Sequence, residues 1–424
     1  MKSIVVFGAG KSATCLIDYL SKICEQRQWT LTIGDADSEA LNKKLVKSPA
    51  VNAVQLNVEN STERNALIRK ADLVISLLPP SLHILIALDC VTNSKNLLTA
   101  SYVDDEIKKL AERIEEKKLF FLCEMGLDPG IDHMSSMRII HRIKDAGGKI
   151  SVFRSHTGGL VAPESDDNPW HYKISWNPAN IVKAGAAGAV FKESGKVKKV
   201  EYKNIFKNPG IVEINPIGNY AWYPNRDSLT YIPIYGLEST HSFIRTTLRH
   251  PAYCAGWNNL VNAGLTNDEL PIPSSINSIS TWSKPLLPFV NPTNKYLYDQ
   301  LGLFDNDPLP AGGRTSAKIL QTLLEKKWMM KETDKDMILM LHEFEYEMNE
   351  QKHFLKSSLI VKGENSLRTA MAKTVGLPLG IAAKLILENK MELFGLHIPV
   401  IPEIYDPVLE ELDLEGIRFH EEII

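Results

Sequence analysis

The sequence predicts an α/β fold whose amino-terminal part is a doubly wound parallel sheet, followed by a region of different rhythm. Three observations lead there. Short apolar, β-branched runs alternate with helical stretches from Met1 to Cys123. A glycine turn, Gly8-Ala9-Gly10-Lys11-Ser12-Ala13, separates the first such run from the first helix. Beyond Gly126 the alternation of short elements stops, and one later run alternates residue by residue between apolar and acidic side chains.

Ile4-Val5-Val6-Phe7 predicts the opening strand and Thr14 to Lys22 the first helix. Strand Trp29–Ile33, helix Ser38–Leu45, strand Val51–Leu56 and helix Thr62–Lys70 follow. The clearest buried strand is Leu73–Leu78, which ends at Pro79-Pro80. Helix Ser81–Val91, strand Asn96–Thr99, helix Asp104–Lys117 and strand Leu119–Cys123 complete the series. Six strands separated by five helices imply a parallel sheet of the Rossmann type with right-handed crossovers. Ligands of such sheets sit beyond the carboxyl ends of the strands. Those ends are Gly8, Asp35, Ser76 to Pro79, Ser101-Tyr102 and Glu124 to Asp128.

The turn itself is a G-x-G-x-x-A pattern between strand and helix. Gly8 permits the tight turn, Gly10 lets the backbone approach a pyrophosphate, and Ala13 lets the helix lie close to the strand. The amides of Lys11 and Ser12 open the helix, where an anion is favoured. Lys11 either adds a cation near the pyrophosphate or points into water. Asp35 lies where a carboxylate accepts hydrogen bonds from the adenosine ribose and repels a 2′-phosphate, so NAD is expected ahead of NADP. The alternative is that Asp35 merely begins a turn. Asp37 follows it, and Lys43 and Lys44 stand on the next helix. Ser76, Leu77, Leu78, Pro79, Ser101 and Leu127 complete the cofactor-facing set.

A formal net charge of −3 gives no electrostatic case for nucleic acid or an anionic membrane. Five scattered cysteines without a C-x-x-C pair fit reduced thiols in a cytoplasmic protein, and no His, Cys or carboxylate spacing points to a metal. The first apolar run flows into the glycine turn, so the fold is read as starting at Met1. No apolar run in the sequence nears the roughly 18 residues needed to span a bilayer.

After Gly126, Asp132 is placed to cap a helix that runs to Ala146 and stops at Gly147-Gly148. Ile150–Ser155, Val190-Phe191 and Val197–Tyr202 read as strands. Residues 264–331 read as a helical insertion. Met337–Met348 is expected to be a half-exposed antiparallel strand with Glu343, Glu345 and Glu347 on its wet face. A turn at Asn349–Lys352 leads to strand Phe354–Val361. Leu367–Leu387 is expected to be a helix interrupted near Gly376 and Pro378, and proline-rich segments lead to a short closing helix.

Five stretches go beyond pattern. They are Ser101-Tyr102; Gly126 to His133 (GLDPGIDH); Thr157 to Glu164 (TGGLVAPE), with Asp167-Asn168-Pro169 and Lys173-Ile174-Ser175-Trp176; Tyr223 to Ser228 (YPNRDS); and Ala370 to Pro378 (AMAKTVGLP). Together they resemble the saccharopine dehydrogenase (L-glutamate-forming) family, also called saccharopine reductase, and the carboxyl-terminal half of aminoadipic semialdehyde synthases. The resemblance implies a Rossmann domain over 1–128 completed by about 385–424. It also implies a mixed-sheet α+β substrate domain over 129–263 and 332–384, with the helical insertion at 264–331.

The implied reaction is the NAD(P)-dependent cleavage of saccharopine to glutamate and 2-aminoadipate 6-semialdehyde, or its reverse, by a homodimer. Tyr102, Asp128 and Thr157 correspond to family positions around the reacting nitrogen. Asp128 is the leading general acid/base, or else it caps the next helix. Tyr102 donates a proton or walls the pocket. The family often has cysteine where this chain has Thr157, and a hydroxyl is a poor acid near neutral pH. Ser101 and Gly158 flank these positions. Arg226 matches the family's carboxylate-binding arginine. Arg245 and Arg249 lie four apart, on one face if helical, and either bind carboxylate or face solvent. His133 and His156 read as structural. Two other functions remain open: a dehydrogenase of another secondary amine such as carboxynorspermidine, and a non-catalytic NAD-binding regulator.

Overall fold

The computed structural model describes residues 1–44, 48–312 and 314–424, apart from the side chains of residues 40 and 43. Leu45, at the expected end of the second helix, lies outside the described residues. Two compact units are present: Met1–Arg142 with Leu367–Arg418, and Ile143–Ser366 with Phe419–Ile424.

Seven strands form the sheet of the first unit. They are β1 (Ser3–Phe7), β2 (Thr30–Asp35), β3 (Val51–Gln55), β4 (Leu73–Ser76), β5 (Asn96–Thr99), β6 (Phe120–Leu122) and a strand from near the carboxyl end, Gly395–His397. All pairings are parallel, in the spatial order β3-β2-β1-β4-β5-β6 and then Gly395–His397. The order reverses between β1 and β4, where such sheets bind ligands. β4 is buried at every position, as a strand covered on both faces should be. Val5, Phe7, Val74, Leu97 and Phe121 form the core of one face with Ile68 and Ile86 from the covering helices.

The first helix, Thr14–Arg27, is longer than its sequence pattern, and the expected helix after β5 divides into Asp105–Lys108 and Ala111–Glu116. Ala370–Leu387 is one uninterrupted helix despite Pro378, capped by the Thr369 hydroxyl on the Ala372 amide. It belongs to the first unit and lies against Thr14–Arg27. A β-carbon at Gly376 would stand 2.7 Å from the Leu16 backbone nitrogen, and one at Gly380 would stand 2.7 Å from the Tyr19 ring. Gly376, which suggested a break, and Gly380 are therefore the contact surface of a close helix pair. Among the described residues it is the one helix long and apolar enough to cross a membrane, and 72% of it is buried within the fold.

The second unit is built on a ten-stranded mixed sheet. Lys149–Val161 runs parallel to Ser242–Arg249 and antiparallel to Asp336–Met348, which pairs in turn with Gln351–Lys362. Lys149–Val161 extends well beyond the expected Ile150–Ser155. Thr157-Gly158-Gly159 is its continuation, and a β-carbon at Gly158 would meet Leu248 at 2.7 Å. Asp336–Met348 is buried through His342 and alternates only afterwards, because its first half lies over the cluster of Leu160, Leu248, Leu339 and Leu341. The hairpin turn is Asn349-Glu350, both with positive φ, and Met348 pairs with Gln351. Helices Ile279–Trp282, Lys295–Leu301 and Ser316–Trp328 occupy the 264–331 stretch. Trp282, Tyr298 and Trp328 join Trp170, Tyr253 and Trp257 in an aromatic core, where the Trp170 indole N–H donates to the Leu297 carbonyl at 2.8 Å.

Candidate functional site

The glycine turn is held from two sides. Gly8, at φ 105°, lies so close to the β4-end loop that a β-carbon would stand 2.7 Å from the Leu77 carbonyl oxygen. Its amide donates to Gly34, and the Leu77 amide donates to Phe7. Beside Gly10 nothing among the described residues, its chain neighbours apart, lies within 4 Å of where a β-carbon would stand, so the backbone has room for a large anion there. Lys11–Ala13 forms a single 3₁₀ turn that enters the helix at Thr14, with Lys11 and Gly10 exposed. These features fit a dinucleotide pyrophosphate.

Asp35 sits at the carboxyl end of β2, as the sequence pattern requires. One carboxylate oxygen accepts the Ala9 amide at 2.5 Å and the other the Asp37 amide at 2.8 Å. The carboxylate therefore braces the turn. Lys44, from the helix Ser38–Lys44, reaches back to donate to the carbonyls of Ala9 and Gly10. Burial pushes its ammonium down to about 8, against the attraction of Asp35. The glycine turn thus carries a cation near Asp35.

At the ends of β4 and β5, His83 occupies the centre of a buried polar knot. Its Nδ1 lies 2.7 Å from Ser76 Oγ, and its Nε2 lies 2.6 Å from Ser101 Oγ. The Ser101 amide donates to Thr99 Oγ1 at 3.2 Å. On the other side of Tyr102, the Val103 amide donates to Glu124 Oε1 at 3.2 Å, while Glu124 Oε2 lies 2.9 Å from His133 Nε2. Tyr102 is therefore bracketed by Ser101 and Val103, each fixed by a buried titratable side chain.

Asp128 stands half-buried in the loop Gly126–Gly130. Gly126 donates to the Pro129 carbonyl at 2.9 Å, and the Gly130 amide donates to Asp132 Oδ1 at 2.7 Å. Gly130, at φ 144°, lies so near Gly126 that a β-carbon would be 2.1 Å from its carbonyl oxygen. Asp132 is inside the first turn of helix Ile131–Asp145, not before it, and ties the loop down from there. Leu127 is buried beside Asp128.

In the second unit, Arg245 and Arg249 are on a strand, not a helix. An even spacing still puts them on one face, which Thr247 shares. Thr247 pairs directly with Thr157 and with Tyr223, so Thr157 faces the same side. Thr157 Oγ1 is buried and has no hydrogen-bond partner among the described residues, and the same is true of Arg249 Nε. The Arg249 guanidinium donates to the Leu248 carbonyl at 2.7 Å and stands 5.0 Å from the Tyr172 ring centre. The Arg245 guanidinium lies 4.5 Å over Tyr231.

Arg226 is exposed with φ 51°, and its turn is fixed to Arg245 by Asn225 N–H donating to the Arg245 carbonyl at 2.9 Å. His156 faces the other side of the sheet, 2.7 Å from Thr246 Oγ1 and 3.2 Å from Glu343. Lys173, within the resemblance motifs, is buried between Asp334 at 2.6 Å and Asp167 at 2.9 Å, a structural ion pair.

Sequence reasoning missed His83 and the bridging role of Glu124, and it placed Lys44 on the next helix without giving it a contact. Glu124 was legible only as a strand end. His83 carried one signal, a polar ring in the first turn of a helix that directly follows a strand-end loop.

A family model described as "Saccharopine dehydrogenase NADP binding domain" matches residues 4–122, and one described as "Saccharopine dehydrogenase C-terminal domain" matches 126–417. The mitochondrial alpha-aminoadipic semialdehyde synthase of Rattus norvegicus is 33% identical, over 99% of this chain and 47% of that protein. The chain thus spans about half the length of the synthases it matches. Saccharopine dehydrogenase [NADP(+), L-glutamate-forming] of Schizosaccharomyces pombe is 29% identical, over 100% of this chain and 99% of that protein. Among solved structures, apo histidine-tagged saccharopine dehydrogenase (L-Glu forming) from Saccharomyces cerevisiae has a TM-score of 0.90 at 26% identity and covers 100% of both chains. The sequence motifs, the Rossmann sheet, the mixed sheet and both family models agree: this chain belongs to the saccharopine dehydrogenase family.

Proposed function

We propose that this chain catalyses the nicotinamide-dependent cleavage of saccharopine to L-glutamate and 2-aminoadipate 6-semialdehyde, or the reverse condensation, in lysine metabolism. The observation that carries the reading is the end-to-end likeness to the yeast enzyme. A bound nicotinamide supplies the hydride acceptor. Asp128, on a loop made rigid by Gly126, Gly130 and Asp132, takes and returns the protons that amine oxidation and imine hydrolysis require. Tyr102 orients the reacting nitrogen. The Thr157 hydroxyl offers it a hydrogen bond and is not a proton carrier. Arg226, Arg245 and Arg249 pair with substrate carboxylates. A buried guanidinium costs several kcal/mol to leave without an anion, and this favours carboxylate at Arg249.

For the cofactor, NADP moves ahead of NAD. The matched nucleotide-domain description and the fungal relatives name NADP. Asp35, the reason for expecting NAD, has Lys44 beside it, and that ammonium offsets the repulsion of a 2′-phosphate. All five cysteines are free thiols, which supports a reducing compartment; a cytoplasmic homodimer is proposed with it, checked by fractionation and light scattering. Incubating the protein with saccharopine and oxidised cofactor, with glutamate measured as product, tests the function. Turnover of carboxynorspermidine instead supports the other secondary-amine reading, and cofactor binding without turnover of either supports the regulator.

A further inference from the structure

We propose that His83 is a positioning residue with two separable arms: through Nδ1 and Ser76 it sets the loop that backs the cofactor turn, and through Nε2 and Ser101 it sets Tyr102. The inference rests on the saccharopine reading for its second arm only.

The geometry is specific. Ser76 is the last residue of β4 and Ser101 follows β5, so the two hydroxyls belong to neighbouring strand ends. One imidazole spans them at 2.7 Å and 2.6 Å, with a longer 3.5 Å contact from Nδ1 to Thr99 Oγ1. Leu77, directly after Ser76, is the residue whose carbonyl lies against Gly8. Tyr102 is directly after Ser101. The ring is 4% exposed, and burial lowers its proton affinity to about 4, opposed by the charge of Asp104. It is therefore neutral at working pH, with one nitrogen donating and one accepting. With a serine hydroxyl on each nitrogen, the neutral ring fixes two loops relative to each other. Displacing a reacting group by about 1 Å costs on the order of 100-fold in rate, so a bond this close to Tyr102 bears on turnover.

Amide side chains separate the arms. Asn places its amide near the position of Nδ1 and keeps the Ser76 contact, whereas Gln reaches the position of Nε2 and keeps the Ser101 contact. His83→Phe keeps ring volume and loses both. The measurements are Kd for reduced NADP by its fluorescence and kcat with saccharopine. His83→Phe is expected to weaken cofactor binding ~10-fold and lower kcat ~30-fold, on the order expected for misplaced groups. His83→Asn should rescue Kd to within ~3-fold but not kcat, and His83→Gln should rescue kcat but not Kd. Equal behaviour of the Asn and Gln variants in both readouts would overturn the proposal, as would unchanged values in His83→Phe. If His83→Phe does not fold, the comparison of the two amides decides. If the wild type binds reduced NADP and does not turn over saccharopine, the functional reading fails, and the Kd contrast between Asn and Gln still decides whether His83 has a separate cofactor arm.

Discussion

Glu124 and His133 meet at 2.9 Å with both side chains buried, and the second oxygen of Glu124 holds the Val103 amide at 3.2 Å. One carboxylate thus ties the segment after β5 to the helix that follows the Asp128 loop. Glu124→Gln keeps the volume and exchanges an acceptor for a donor. The expected stability loss is about 1–3 kcal/mol by denaturant unfolding, because a buried polar group loses its partner. A kcat loss of ~10-fold or more should accompany it, since the one remaining oxygen cannot serve both the Val103 amide and His133, and the tie between the Tyr102 segment and the helix is lost. A stability loss with kcat unchanged would assign Glu124 to the fold alone.

Asp128 carries the proposed mechanism. Its carboxyl is half-buried on a loop that Gly126, Gly130 and Asp132 fix, and asparagine keeps its volume and one acceptor oxygen. Asp128→Asn is therefore expected to leave thermal stability near wild type while kcat falls ~10²–10⁴-fold, the usual size of a lost general acid/base. Cofactor Kd should move by less than ~3-fold, well inside one factor of ten. Unchanged turnover would remove Asp128 from the chemistry.

Lys44 predicts a cofactor-specific effect. Lys44→Met should raise KM for NADP ~10-fold or more and KM for NAD little, because a charge-assisted contact to a phosphate is worth about 1.5–3 kcal/mol. The ammonium, brought down to about 8 by burial, is charged below that pH and neutral above it. Preference for NADP over NAD should therefore fall between pH 7 and pH 9 in the wild type and stay flat in Lys44→Met. Parallel changes for both cofactors would place Lys44 in turn stability only.

The strand-helix alternation of the first unit was legible because the central strands β1 and β4 are nearly continuous apolar runs, as strands covered on both faces are, and because the glycine turn has a fixed spacing. Asp35, Tyr102 and Asp128 were reachable by the same logic, as residues at strand ends. His83 and Lys44 were not, since each acts through contacts with strand ends that no local pattern encodes. Arg245 and Arg249 show how spacing misleads: four residues mean one face on a helix and also on a strand. Gly376 and Pro378 read as a break because local propensity disfavours them in a helix, and the close contact of Gly376 with Leu16 outweighs that propensity.

That last point can be checked. Gly376→Ala improves helix propensity by up to ~1 kcal/mol, and its β-carbon must displace the Leu16 backbone by several tenths of an ångström. Overpacking against backbone costs about 1–3 kcal/mol, so net destabilisation is expected in chemical denaturation. A more stable Gly376→Ala protein would show that the two helices do not meet this closely.

The most direct test of the central claim is a steady-state assay of the purified chain with saccharopine and each oxidised cofactor, following reduced nicotinamide and free glutamate together. The account predicts equal amounts of both products, a higher kcat/KM with NADP than with NAD, and loss of both products in Asp128→Asn. Reduced nicotinamide without glutamate, or no reaction with saccharopine while carboxynorspermidine is turned over, would contradict it.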